Sequence, residues 1–553
     1  MDTGDVSILW ATSRSAPVST HANDDGCALL IGDAIPRGAS TRVSAESVHN
    51  TWTGRQSHSA IYDGFHAAAA VRHGEIAIGG DILGLFPIYY AVRGDVLLAG
   101  SSSAAFSAHP LFDDALDVHA MFGHLLASGP FDGRTLRRGV TRLSATALLR
   151  WSAQGCTREE SRYELPVGRG FGSASFEAEV ERFDAALDAA VRRHAGVHQD
   201  ITVMLSGGRD SRLLSGYLAR QGRSAHAVTF GAATDHDARC AEAVARALGF
   251  LHRRHEIPFG EFPEYADRNV HWEKLAGGMS TVHTWGSMDA LRERGGGVLS
   301  GYLYEVRQIA PLPATREGML SWTYAHAIPP DALRALANAS QRSLVDEVVD
   351  AITQRFDALS VAVDEEGDDA ERSWRWFMAV YVRFHAGAVP WRLSFASWPI
   401  LPVLDQALIE TMLTMRPSFL ANRRLQDALL IQRLPALAKL PLDRNSDDVS
   451  PLVPTIRGRI GAAMRDVTLR DTSVERRYYP RMYDFDNEGW RAIRRAAEPG
   501  RDAMLQWFDR AALDAMLPSP ERAAAHPDPI AGGFGPKLLA GIMRACATGE
   551  FSS

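Results

Sequence analysis

The chain changes its hydrophobic rhythm near residue 165. Before that point, short apolar runs alternate with glycine turns, as in Gly74-Glu75-Ile76-Ala77-Ile78-Gly79-Gly80 and Asp95-Val96-Leu97-Leu98-Ala99-Gly100. Runs of that length bounded by turn residues predict β-strands. Around Leu165-Pro166-Val167-Gly168-Arg169-Gly170 proline and glycine concentrate, which predicts a linker. Beyond it, Val180, Phe183, Ala186 and Leu187 share one face of a helix predicted over 176–194. Strand and helix then alternate. Ile201–Leu205 runs through glycines into a helix, and His226–Phe230 runs through a Gly/Asp turn into a helix from about Asp237 to Leu248. Alternation of this kind predicts a parallel sheet covered by helices. From about residue 320 the pattern is mostly helical, and the chain shows no internal repeat.

The stretch Ile201-Thr-Val-Met-Leu-Ser-Gly-Gly-Arg-Asp-Ser-Arg212 carries the clearest chemistry. A β-branched run breaks at Ser206-Gly207-Gly208, and Leu213, Leu214, Tyr217 and Leu218 resume at helical spacing. Strand, glycine loop and helix N-terminus bring backbone N–H groups and the helix dipole to bear on an anion. The Ser-Gly-Gly-x-Asp-Ser wording resembles the pyrophosphate loop of enzymes that split ATP to AMP and pyrophosphate. A Walker-type loop needs a Gly-Lys step, and the only lysines here are Lys274, Lys439 and Lys537. Gly-Gly alone would fit an ordinary turn; Ser206, Asp210 and Ser211 beside it favour the nucleotide.

In an open parallel sheet, ligands bind beyond the carboxyl ends of the strands. Three segments are expected there. Leu205, Ser206, Gly207, Gly208, Asp210 and Ser211 would hold the phosphates of ATP, with Asp210 an oxygen ligand for Mg²⁺. Phe230, at the end of the next strand, would meet adenine. Ser300-Gly301 ends a third strand and is followed by Glu305, which taken singly is a surface acid. Beside Ser300-Gly301 it becomes a candidate to share metal ions with Asp210.

Composition narrows the partners. The 553 residues allow several domains, 46% are hydrophobic and 23% charged, and the net charge of −7 argues against general nucleic-acid binding. No apolar run approaches a membrane span, and the N-terminus lacks the basic start of a signal peptide. Cys27, Cys156, Cys240 and Cys546 form neither a disulfide framework nor a zinc spacing, so a cytoplasmic location is expected. His252 and His255 fall on a predicted strand and read as structural. The basic and aromatic run from Arg383-Phe384-His385 to Trp391-Arg392 reads as packing around a core, with a substrate-facing role the alternative.

Taken together these motifs resemble the asparagine synthetase superfamily. Ser206–Ser211 matches its pyrophosphate motif. Asp237 with Ala241, Val244, Ala245, Leu248 and Gly249 matches the helix that follows. Ser300-Gly301 matches its second ATP segment, and Pro399-Ile400-Leu401-Pro402-Val403-Leu404-Asp405 a later stretch. In the first half, Asp81 to Tyr90 and Gly100-Ser101-Ser102 to His109-Pro110 resemble the glutaminase-type domain of these enzymes. The resemblance implies an α/β protein of two domains. Residues 1–165 would form an Ntn-type αββα sandwich, and residues 172–553 an ATP-dependent synthetase domain with a parallel sheet and a helical C-terminal part.

The departures matter as much. A working glutaminase of this family starts on a cysteine exposed by loss of Met1, and Asp2 stands there. Gly80, not an arginine, precedes Asp81. The first domain is therefore expected to be a scaffold without its nucleophile. Relatives that have lost this cysteine include β-lactam-forming synthetases and lasso peptide macrolactam synthetases (cyclases), which let an amine of the same molecule attack the acyl adenylate. Arg209 and Arg212 around the loop resemble the cyclases. The resemblance makes Tyr302, Glu305 and Lys439 catalytic candidates: Tyr302 to orient or deprotonate the amine, Lys439 to stabilise developing charge. Packing over the nucleotide and a solvated helix end are the alternatives for Tyr302 and Lys439. The expected protein is a lasso peptide cyclase that joins an Asp or Glu side chain of a precursor peptide to that peptide's N-terminal amine. A leader peptidase would be its partner. A small-molecule or β-lactam amide synthetase, an ammonia-dependent asparagine synthetase, and an inactive scaffold subunit are the alternatives.

Overall fold

The computed structural model describes residues 1, 6–53, 61–152, 156–166, 174–301, 312–359, 369–446, 448–454, 477–523 and 534–551. Its first part is antiparallel. Strands β1 (Val18–Asn23), β2 (Gly26–Gly32), β5 (His66–Arg72), β6 (Glu75–Gly80), β10 (Ala147–Ser152) and β11 (Cys156–Ser161) form a six-stranded sheet in the order β1-β2-β5-β6-β10-β11. A two-residue turn joins β5 to β6, with His73 at φ 49° and Gly74 at φ 80°, the left-handed pair that a tight hairpin requires. The short strands β3 (Ile35–Pro36) and β4 (Tyr62–Asp63) pair with each other. β7 (Tyr89–Arg93), β8 (Val96–Gly100) and β9 (Thr141–Arg142) make a three-stranded sheet. Helix α1 (Ala45–Trp52) buries Val48 and Trp52 in the same apolar cluster as Leu30 and Leu148 of the larger sheet.

The second part is built on a parallel sheet in the order β14-β13-β12-β15-β16: Leu251–His255, His226–Phe230, Ile201–Met204, Gly297–Leu299 and Trp398–Ile400. β12 lies at its centre, paired with β13 and β15. Successive strand residues point to opposite faces, and Ile201, Thr202 and Val203 are all buried, so β12 is covered on both faces. β16 lies in the stretch recognised at 399–405, where no strand was expected. Helix α3 (Phe176–Gly196) starts on the Ser175 side-chain cap to Ala178 N and buries Val180, Phe183, Leu187 and Val191. Helices α4 (Asp210–Arg220) and α5 (His236–Leu248) follow β12 and β13. Among the described residues after β15, the regular elements are helices apart from β16. Among the described residues, no helix is long and apolar enough to cross a membrane.

The antiparallel part is fixed to the parallel sheet by buried polar and aromatic contacts. His198 Nε2 lies 2.7 Å from Asp33 Oδ2. Asp63 Oδ1 accepts from Gln406 N at 2.9 Å, and Arg193 reaches both Asp63 and Asp405. Phe65 and Phe86 pack on Trp398 with ring centroids 5.4 and 6.3 Å away. Asp81 serves the first part itself. Its carboxylate accepts the backbone N–H groups of Leu83, Leu85 and Phe86 at 2.7–3.1 Å, and it is buried. Asp2, whose identity underlies the lost-nucleophile expectation, and Cys156's side chain lie outside the described positions.

Candidate active site

A cleft of about 940 Å³, part of it open to solvent, lies at the carboxyl end of the parallel sheet. Leu205, Ser206, Asp210, Ser211, Ser300 and Gly301 line it, together with Phe230. The tertiary fold thus brings together the ends of β12, β13 and β15, as the strand order requires. Tyr302 and Glu305 lie outside the described residues.

The loop between β12 and α4 is held by its own serines. Ser206 N donates to Ser211 Oγ at 2.9 Å, the two hydroxyls are 2.9 Å apart, and Gly208 N is 3.3 Å from Ser206 Oγ. The two glycines differ in role. Gly207 is buried, and its N–H is donated to Asp237 Oδ1 at 2.8 Å, so this N–H is not aimed at a phosphate. A Cβ on Gly207 would lie 2.7 Å from Cys240 Cβ and 2.8 Å from Asp237 O. On Gly208 the nearest atom would be Ser206 Oγ at 3.4 Å. Gly207 thus docks the loop on α5, with its N–H turned to Asp237. The N-terminus of α4 borders the cleft instead. Arg209 gives it no side-chain cap, and the first-turn N–H groups of a helix have no acceptor within the helix. Gly301 allows close approach there, since its Cβ would stand 3.1 Å from Ser211 N and from Asp210 Cβ.

Asp210 opens α4 and faces the cleft. Its carboxylate accepts from Arg423 Nη1 at 3.1 Å and from Gln426 Nε2. Asn422 and Arg423 both have positive φ, 55° and 60°, and two such residues in succession are a strained approach for non-glycines. A carboxylate and two serine hydroxyls are oxygen donors suited to a hard cation such as Mg²⁺. A cation at Asp210 would compete with the Arg423 contact.

Arg209 and Arg212 are structural. Arg209 Nε pairs with Asp427 at 2.5 Å. Arg212 is fully buried and donates to the carbonyls of Leu437, Leu440, Gly207 and Pro441, with burial pushing its pKa down to about 10. Asp443 N also donates to Gly207 O at 3.0 Å. The chain over 437–443 is thereby strapped to the glycine loop. Asp443's carboxyl is hydrogen-bonded to that of Asp237, which lines the cleft. Burial, and then the charge of Asp443, push Asp237 up to about 8, and burial also raises Asp443.

Lys439 is exposed at the C-terminal end of the helix Pro435–Ala438 and is not among the side chains lining the cleft. Arg383 donates to Gly84 O and Leu143 O, and Arg392 pairs with Glu273 with no exposed surface. This run is core, as expected. His252 Nε2 is 2.9 Å from Thr229 Oγ1 on the sheet. The reading along the chain missed Arg423, Gln426, Asp443 and the cleft tyrosines Tyr478, Tyr479 and Tyr483. Only the tyrosines carried a signal, because Tyr479 and Tyr483 are four apart on one helix face.

A family model described as asparagine synthase matches residues 182–378. The match runs from within α3 through the glycine loop, Phe230 and Ser300-Gly301, and supports the asparagine synthetase superfamily, whose members are ATP-dependent amide-forming ligases that typically use Mg²⁺. It includes neither the antiparallel part nor residues beyond 378. No curated protein matches the chain.

Proposed function

We propose that this chain is a macrolactam synthetase of the lasso peptide cyclase kind. It would adenylate an Asp or Glu side chain of a precursor peptide and join it to the peptide's N-terminal amine, releasing AMP and pyrophosphate. The observation that carries the adenylation half is one cleft. In it the side-chain-uncapped N-terminus of α4, Ser206, Ser211 and Ser300-Gly301 surround the carboxylate of Asp210.

Amide formation from carboxylate and ammonium is uphill in water, and AMP as leaving group makes it favourable. Asp210 and the loop serines would hold Mg²⁺, which neutralises the departing pyrophosphate when bound. The α4 dipole stabilises the phosphate charge, and the buried Arg212 keeps the loop in shape for it. Enclosure by the aromatic residues at the far end of the cleft limits hydrolysis of an acyl adenylate. An amine within the same substrate replaces a bimolecular encounter by a positioned one.

The macrolactam half rests on the resemblance of the Ser206–Arg212 loop to that of the cyclases, which take the amine from the substrate itself. On this reading residues 1–165 are a glutaminase-like scaffold, residues 172–553 the synthetase, and a leader peptidase in the same cytoplasm supplies the free N-terminus. Tyr302, Glu305 and Lys439 are its further catalytic candidates, with Glu305 sharing the metal ions.

The test is pyrophosphate release with MgATP. Release driven by a leader-free precursor peptide, with loss of water from the peptide mass, is the expected result. Release driven by aspartate and ammonia, or by a small amino acid alone, would replace the cyclase reading with another synthetase. No release under any condition, and no effect of Asp210→Ala on binding of any ligand, would make the chain a scaffold subunit.

A further inference from the structure

The cleft has two chemically different ends. The loop end carries Ser206, Ser211 and the carboxyl groups of Asp210 and Asp237. The far end is mostly aromatic and uncharged: Phe230 and Ile257 on the sheet side, Tyr478, Tyr479 and Tyr483 on the helix Tyr478–Tyr483, and Thr284 and Ser287 beside His283. Among the described residues, no Arg, Lys, Asp or Glu lines that far end. His283, which lines it, is buried, and burial pushes its pKa down to about 3, so the ring is neutral.

The tyrosine helix is held in a fixed place. Arg481 Nη2 lies 2.5 Å from Asp235 Oδ2, and Asp235 is fully buried. The same oxygen accepts from Ala232 N at 2.7 Å, which fixes the turn between β13 and α5. Lys537 Nζ donates to Tyr483 O at 2.6 Å. Gly231 follows β13 at φ 137°, and a Cβ there would stand 3.1 Å from Tyr478 Cδ2. The ring of Tyr478 therefore closes on the end of β13. It is edge-on to His283 and Tyr479, with centroids 6.1 and 5.7 Å away.

Position decides which part of a ligand meets this wall. β12 carries the loop, β13 lies to one side of it and β15, with Ser300-Gly301, to the other. A ligand with its phosphates on the loop and its other end over β13 is anionic at one end and a neutral heteroaromatic at the other. We infer that Tyr478 forms the aromatic wall of the purine-base subsite, packing on adenine and leaving the β15 side for the acyl group. The inference rests on the adenylation reading above and assigns a base-binding role to a helix 100 residues past the family match.

The experiment is calorimetric titration of the full chain with adenosine, MgATP and inorganic pyrophosphate. Tyr478→Ala is expected to weaken adenosine and MgATP about tenfold, the size of a lost base–aromatic stack, and to leave pyrophosphate within about twofold. Tyr478→Phe and Tyr478→Trp should bind all three like the parent chain. Tyr478→Leu carries the same expectation should the alanine variant fail to fold. Unchanged adenosine and MgATP binding in a folded Ala or Leu variant overturns the inference and gives the tyrosines to the acyl substrate. Equal weakening of all three ligands also overturns it, because the helix would then only shape the loop. A parent chain that binds pyrophosphate but not adenosine or MgATP overturns the base subsite, and one that binds none of them overturns the adenylation reading itself.

Discussion

Gly207 N lies 2.8 Å from Asp237 Oδ1, so the first glycine of the loop is tied to the helix of the neighbouring strand. Asp237 in turn shares a hydrogen bond with Asp443, and two carboxyls in that contact cannot both ionise cheaply. With its pKa raised to about 8, Asp237 keeps a proton that the unfolded chain gives up near pH 4. Stability from this group is present below the unfolded value and falls as pH rises toward 8. Asp237→Asn keeps the acceptor for Gly207 and needs no proton. Its melting temperature should exceed the parent's by a few degrees at pH 8, with the gap closing toward pH 5. Equal melting curves at both pH values would refute the shared proton.

The two loop glycines should respond differently to a methyl group. Gly207→Ala must displace Cys240 or the backbone of Asp237, and overpacking of that kind costs about 1–3 kcal/mol. Gly208→Ala meets only Ser206 Oγ at ordinary contact distance, so its stability should stay within about 0.5 kcal/mol of the parent. Denaturant melts give both numbers. A Gly208→Ala loss as large as that of Gly207→Ala would contradict the geometry.

Arg212 binds four backbone carbonyls with no exposed surface. Lysine has no planar fork and cannot reach them together. Arg212→Lys is expected to destabilise the protein by about 2–4 kcal/mol and to expose the 437–443 strap to proteolysis. Resistance to limited trypsin digestion equal to the parent's would show that the strap is held by other contacts.

Five histidines shape the response to acid. His66 and His124 are held down to about 4, and His194, His283 and His385 to about 3, each chiefly by burial. Below about pH 6.5 the unfolded chain takes up protons that these sites refuse, so each contributes a stability loss of about 1.4 kcal/mol per pH unit. Unfolding midpoints in urea should therefore drop steeply between pH 6.5 and 5. Replacing His283 by Gln should make that slope shallower.

Much of the cleft's loop end was legible along the chain because it is local. Ser206, Asp210 and Ser211 lie within six residues, and a β-branched run ending in glycines before a helical period can form little else. Phe230 and Ser300-Gly301 were legible for a related reason, since each ends a strand of a sheet whose ligand edge is known in advance. The two glycines looked alike, and only packing against Cys240 separates them.

The sequence by itself determined the strand–loop–helix unit, the parallel sheet and the oxygen-rich loop, because hydrophobic period and turn chemistry act between near neighbours. Tertiary structure decided what surrounds that loop. Arg423 on Asp210, Asp443 against Asp237, the Arg212 strap and the wall at Tyr478 join residues some 200 or more positions apart. Such contacts follow from burial and charge pairing in the folded core, and no local pattern announces them.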